Sequence, residues 1–180
     1  MNKREERSHK FKLLFSTLFY EGEEKEEQIS HYSFEKEEDD EDVIAFDCLP
    51  DEEKAYLETE VLKILERLSE LDSMINADTE GWTTKRMSKT DLTVLRLSLY
   101  ELKFQEEIPK KVVLNEAVEI AKKYGGADSG SFVNGVLARI LPKLSPELSE
   151  SAEKKGKKSE KKGKKEQKNS SFHIVLNKKD

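Results

Sequence analysis

Cysteine is almost absent from this chain of 180 residues. The single Cys48 cannot form an intramolecular disulfide and is too little for a thiolate metal site, so the composition fits a reducing compartment. Histidine is nearly as scarce: His9, His31 and His173 stand too far apart to make a ligand motif. No apolar run approaches the ~20 residues a membrane span requires. The stretch FKLLFSTLFY near the N-terminus is interrupted by Lys12. It is followed by GEEKEE where a secretory leader has small residues and a cleavage site. Together these absences point to a cytoplasmic protein without membrane contact, and nothing in the chain implies a cofactor or a metal.

Charge is what the chain has in quantity, at 39% of residues, and it is unevenly spread. Residues 150–180 hold eleven lysines against five acidic residues, whereas residues 1–149 hold 21 basic against 33 acidic ones. An acidic body therefore carries a basic tail. The tail, with SAEKKGKKSEKKGKKEQKNSS at its centre, has low complexity and few apolar residues, a composition that cannot bury enough surface to fold alone. Its closing FHIVL is too short to form a core. Between residues 21 and 47 the chain is strongly acidic, and the DDED run lacks the spaced ligands and turn glycine of a calcium loop.

Elsewhere the apolar residues recur at helical spacing. Phe11, Leu14, Phe15, Leu18 and Phe19 make one stripe of a helix from about Glu5 to Tyr20. Lys3, Arg4, Arg7 and Lys10 crowd its start, where positive charge opposes the helix dipole, so these side chains are either solvated or intended for a polyanion. Pro50 with Asp51, Glu52 and Glu53 reads as a helix start, and Tyr56, Leu57, Val61, Leu62, Ile64, Leu65 and Leu68 continue it. Leu71, Met74 and Ile75 predict a further helical segment. Ser88 to Asp91 resembles a capping box opening a helix to Phe104 that is apolar on most sides and so belongs in the middle of a bundle.

The densest stretch is Ile108 to Leu141. Val113, Ala117, Ile120, Ala121 and Tyr124 share a helical face, and Gly125 and Gly126 stop that helix with the positive φ its end often needs. Asp128 or Ser129 can cap the next helix, whose stripe is Phe132, Val133, Val136, Leu137 and Ile140, and Pro142 ends it. A glycine inside a helix costs about 1 kcal/mol against alanine, so Gly135 predicts the close approach of another backbone, with Asn134 bonding backbone beside it. The chain shows no strand signal, and the fold class is all-α, a bundle with short connections.

SKTDLTVLRLSLYEL followed by NEAVEIAKKYGGADSGSFVNGVL resembles the signature of the NusB family of bacterial transcription antitermination factors. The likeness runs from about Leu71 to Pro142, includes Trp82 and Arg86, and extends weakly into RSHKFKLLF of the first helix. It implies a NusB-like helical bundle of two subdomains, an N-terminal one over residues 1–80 and a C-terminal one over 81–148; composition alone predicts residues 149–180 as a disordered basic tail. It also implies binding to the boxA element of nascent ribosomal RNA as a single strand, together with the small-subunit ribosomal protein that acts as NusE. Through these partners the protein would join the RNA polymerase antitermination complex.

By position, the family's RNA-facing residues fall on Lys3, Arg4 and Arg7 of the arm and on Asp91, Asp128 and Phe132. Arginine can bond phosphate in two places and stack on bases, Phe132 can stack on an unpaired base, and a carboxylate can accept from a base amino group. Each has a bland alternative: Asp91 and Asp128 as helix caps and Phe132 as core. Partner contacts are expected from Phe15 and Phe19, which a core reading explains equally well.

Two departures thin the positive charge of the RNA face. Glu5 and Glu6 interrupt the arm, and Ser131 stands before Phe132 where the family usually has lysine. They give weight to a second reading, a NusB-like protein-interaction module with weakened or lost RNA specificity. The same module resembles the N-terminal domain of ribosomal RNA cytosine methyltransferases, but this chain has neither a βαβ unit nor a catalytic cysteine motif, so an enzyme is not expected.

Overall fold

Apolar periodicity produces α-helices wherever the chain is described. The structure is a computed structural model and describes residues 1–31, 48–78 and 83–144. Seven α-helices occur among them: α1 Lys3–Ser16, α2 Glu24–Ser30, α3 Asp51–Glu66, α4 Leu68–Asp78, α5 Lys89–Phe104, α6 Lys110–Tyr124 and α7 Ser129–Leu144. A 3-10 turn, Thr17–Phe19, prolongs α1, and no strand is present among the described residues. The DDED run, Trp82, the lysine-rich tail and FHIVL lie outside the described residues.

α5 is the axis of the bundle. Every residue from Leu92 to Leu102 is buried, polar ones included, because α1, α4 and α6 pack on it from different sides. α3 lies against α1 and contributes Leu57, Val61 and Ile64 to the core. α6 turns Val113, Ala117, Ile120 and Ala121 inward, and α7 adds Val133, Val136, Leu137 and Ile140. These apolar stripes match the spacing read from the sequence.

The first helix departs from that reading. Its buried apolar residues are Phe11, Leu13 and Leu14, while Phe19 is exposed and Phe15 half-buried. Polar residues fill much of its buried side: Glu5, Glu6, Arg7, Ser8, His9 and Lys10 are all inside. The interior accepts them because each charge has partners. Glu6 receives Lys10 Nζ at 2.6 Å, Lys3 Nζ at 2.7 Å and the Tyr56 hydroxyl at 2.9 Å. Gln105, the residue after α5, donates to Glu60 at 2.7 Å, and Lys10 Nζ lies 3.7 Å from the same carboxylate, so one polar seam joins α1, α3 and the end of α5.

The acidic residues that interrupt the arm thus build its helix. Asn2 accepts the amide protons of Arg4 and Glu5, and the Glu5 carboxylate accepts from the Asn2 amide at 2.9 Å, a complete capping box. At the start of α5 the box is half made: Ser88 Oγ accepts the Asp91 amide at 3.0 Å.

Three expectations about the last hairpin need correction. Gly125 ends α6 with φ −104° and ψ −171°, an extended conformation rather than a positive φ. Its lack of a side chain matters for another reason, since a Cβ there would lie 2.6 Å from the carbonyl oxygen of Ala121 and would collide with Ser129. Gly135 has nothing within 4 Å of where its Cβ would be, so no backbone approaches it among the described residues, and Asn134 beside it is exposed. The close approach falls at Gly130, where a Cβ would lie 3.0 Å from Lys122 Cγ. Finally, Pro142 sits within α7, which runs on to Leu144. A proline in a last turn removes one hydrogen bond without stopping the residues beyond it from keeping helical angles.

Candidate nucleic-acid interface

The start of α1 and the second half of α6 lie side by side. Asn2, Arg4 and Ser8 form one wall of a groove of about 330 Å³, and Glu119, Ile120 and Lys123 form the other. Phe11 locks the two helices together by stacking on Tyr124, with ring centroids 4.8 Å apart. Lys12 and Lys123 hold their ammonium groups 5.6 and 5.3 Å from the Tyr124 ring centroid. Positive charge from both helices therefore gathers round one aromatic residue.

That ring is the end of a ladder. The four-residue spacing of Phe11, Phe15 and Phe19 puts them on one side of α1 and its 3-10 extension. Their centroids are separated by 5.9 and 5.4 Å. At the far end Lys89 Nζ stands 3.9 Å from the centroid of Phe19, bringing the N-terminus of α5 to the ladder. The region of Asp91 is thereby connected, ring by ring, to the Gly125–Gly126 turn that precedes Asp128.

The residues singled out from the sequence have distinct environments. Arg4 is exposed on the groove. Lys3 is exposed along most of its length and bonds Glu6 at its end. Arg7 is only 5% exposed, with Nε 2.9 Å from both carboxylate oxygens of Glu101 on α5, so its charge points into the fold and away from Arg4. Asp128 is exposed, and its carbonyl accepts the Phe132 amide at 2.9 Å. Phe132 is half-buried. Asp91 is also half-buried, and its Oδ1 is shielded from solvent with no hydrogen-bond partner among the described residues. A buried carboxylate oxygen left without a donor is costly.

Sequence reading missed Lys12, Lys89, Lys123 and Tyr124. Tyr124 reads in the sequence as part of the α6 apolar face, and no local pattern shows that α1 brings Phe11 to that tyrosine. Among the described residues no group of three or more His, Cys, Asp or Glu side chains is placed to hold a metal ion. No helix there is long and apolar enough to cross a membrane.

A helical scaffold that presents cations, a ladder of rings and a carboxylate lacking a donor defines a binding module. Comparison with known proteins sharpens that class. The NusB family model matches residues 4–142. The transcription antitermination protein NusB of Lachnoclostridium phytofermentans is 42% identical over 141 residues, covering 78% of this chain and 99% of that protein. Its counterpart from Agathobacter rectalis is 43% identical over 133 residues, covering 74% and 94%. A solved NusB structure from T. maritima superposes with a TM-score of 0.65 at 35% identity, covering 78% of this chain and 91% of that one. The chain belongs to the NusB family. It is accordingly a transcription antitermination factor, an RNA-binding protein that is not an enzyme.

Proposed function

We propose that this protein binds boxA-type single-stranded RNA of nascent ribosomal transcripts together with the ribosomal protein that acts as NusE, and that the pair brings it to RNA polymerase. The reading places it in the cytoplasm, where that RNA is made. The observation that carries it is the meeting of Arg4 with Lys123 across the α1–α6 groove. Cations that follow a strand, together with a ring such as Phe132 that can stack on a base, are what single-stranded RNA requires. Lys3 and Arg4 would hold phosphate, Phe132 would stack on a base, and Asp91 and Asp128 would accept from base amino groups. Arg7, also implied in RNA contact by its position in the arm, would serve through its bond to Glu101, which anchors the helix that carries Arg4.

The acidic body suits a basic ribosomal protein, since complementary charge speeds encounter. Exposed Phe19 and half-buried Phe15 would form the partner contact. The two ligands would then help one another, the protein partner extending the site that RNA uses.

The test is affinity for a boxA-like RNA against a scrambled one, with and without the ribosomal protein, over a range of salt. The expected result is a preference for boxA that grows when the partner is present. Deleting residues 149–180 is expected to weaken both RNAs alike and to flatten the salt slope, because closely spaced lysines grip phosphate without reading bases. If neither condition prefers boxA, the reading fails, and the protein acts through protein contacts instead.

A further inference from the structure

We infer that the open groove between α6 and α7 is a second RNA subsite, one that reads a nucleotide beside those held by Arg4 and Phe132. The inference rests on the function proposed above.

The groove encloses about 620 Å³. Asn115 and Lys122 line one wall, Ser131 and Asn134 the other, and Gly130 lies among them. Both asparagines are exposed, and neither carboxamide bonds another described residue. A carboxamide offers a donor and an acceptor side by side, the pattern that matches a base edge with two hydrogen bonds. Two of them facing one groove, with a hydroxyl between, make a surface that can discriminate bases.

Three further observations point outward. Glu119 borders both this groove and the one that holds Arg4, so the two are contiguous and a single strand can cross from one to the other. Lys122 stands at that crossing, its ammonium 2.8 Å from Glu119 and free to swing to a phosphate because the pair is exposed. Gly135 adjoins Asn134 on α7 and, among the described residues, meets nothing that would exclude a side chain. Internal packing gives no reason for a glycine there, whereas a strand lying along α7 would gain bare backbone to approach. Val118 is the single apolar side chain larger than a hydrogen among the lining residues, whereas the centre of a protein interface is built from several such side chains.

The test uses the full chain and a single-stranded RNA carrying the boxA-like element with three extra nucleotides on each side. Every position is made abasic in turn. For the unaltered protein, one or two positions outside those sensitive to Phe132→Ala are expected to lose about tenfold or more in affinity when the base is removed. In Asn134→Ala and Asn115→Ala those same positions become indifferent, while the melting temperature stays as it was because both side chains are exposed. If both variants keep the original abasic profile, the groove is not a subsite and the inference is overturned, although a preference for boxA lost in Phe132→Ala would still support the function. If the unaltered protein has no preference for boxA, it is the function that falls. If the asparagine variants weaken binding of the ribosomal protein and leave the RNA profile intact, the groove is a protein surface and the inference is again overturned.

Discussion

Arg7 and Glu101, 94 positions apart, form a buried ion pair in which Arg7 Nε lies 2.9 Å from each carboxylate oxygen, fastening the first helix to the central one. A charge buried with its partner is tolerated, but a charge left alone is not. Arg7→Ala is expected to lower stability by roughly 3 kcal/mol or more, because it strands Glu101 in the interior. Arg7→Met combined with Glu101→Leu should regain most of that loss, since an apolar pair of similar volume removes the desolvation cost as well as the attraction. Urea midpoints of the three proteins decide the matter. An unchanged midpoint for Arg7→Ala with reduced RNA affinity would instead assign the side chain to the RNA arm.

The bundle was legible where burial is apolar and lost where burial is charged. α5 could be placed at the centre from its own residues, because leucines and valines on most of its circumference leave no face for solvent. The buried side of α1 could not be read so, since the environment of Glu6, Arg7 and Lys10 is decided by Tyr56, Glu60 and Glu101 on other helices. The site divides in the same way. The four-residue spacing of Phe11, Phe15 and Phe19 is visible in the sequence, whereas the stack of Phe11 on Tyr124 depends on how α1 crosses α6. Gly135 misled for a related reason: a helical glycine announces that something needs the space, without saying whether it belongs to the fold or to a ligand.

Acid should expose the polar seam. Burial alone raises the Glu6 carboxyl, but hydrogen bonds from Lys10 and Lys3, the charge of Lys10 and the Tyr56 hydroxyl outweigh it and lower its pKa from 4.5 to about 2. A folded value below the unfolded one contributes stability that is present above about pH 4.5 and lost as pH falls toward 2. Burial raises Glu101 more than Arg7 lowers it, so its linkage has the opposite sign and offsets part of the loss. Glu6→Gln is expected to be less stable than the unaltered protein at pH 7 by on the order of 2 kcal/mol, with the gap narrowing to about half by pH 3. Denaturant midpoints at the two pH values measure it, and a gap that does not change with pH would show that Glu6 is not the group responsible.

The two glycines should respond oppositely to alanine. At Gly125 the new Cβ would lie 2.6 Å from the Ala121 carbonyl oxygen, and backbone must move to admit it, so a loss of about 1–3 kcal/mol is expected. At Gly135 the space is open and φ is not positive, so alanine is expected to gain about 1 kcal/mol by its higher helix propensity. Thermal melts of the two variants check both signs, and a destabilised Gly135→Ala would show that something in the chain does occupy that space.

Phe19 stands at the exposed end of the aromatic ladder, 58% open to solvent with Lys89 over its face. An exposed ring contributes little to folding, so Phe19→Ala is expected to leave the melting temperature within a few degrees of the original. An aromatic side chain that becomes buried in an interface is, by contrast, among the residues whose truncation costs most, commonly about 2 kcal/mol or more. The variant should therefore bind the ribosomal protein roughly thirtyfold more weakly in titration calorimetry. Phe132→Ala, on the RNA side, should leave that titration unchanged when RNA is absent. Loss of partner binding in Phe132→Ala with none in Phe19→Ala would interchange the two faces: the ladder would then belong to RNA and the start of α7 to the protein.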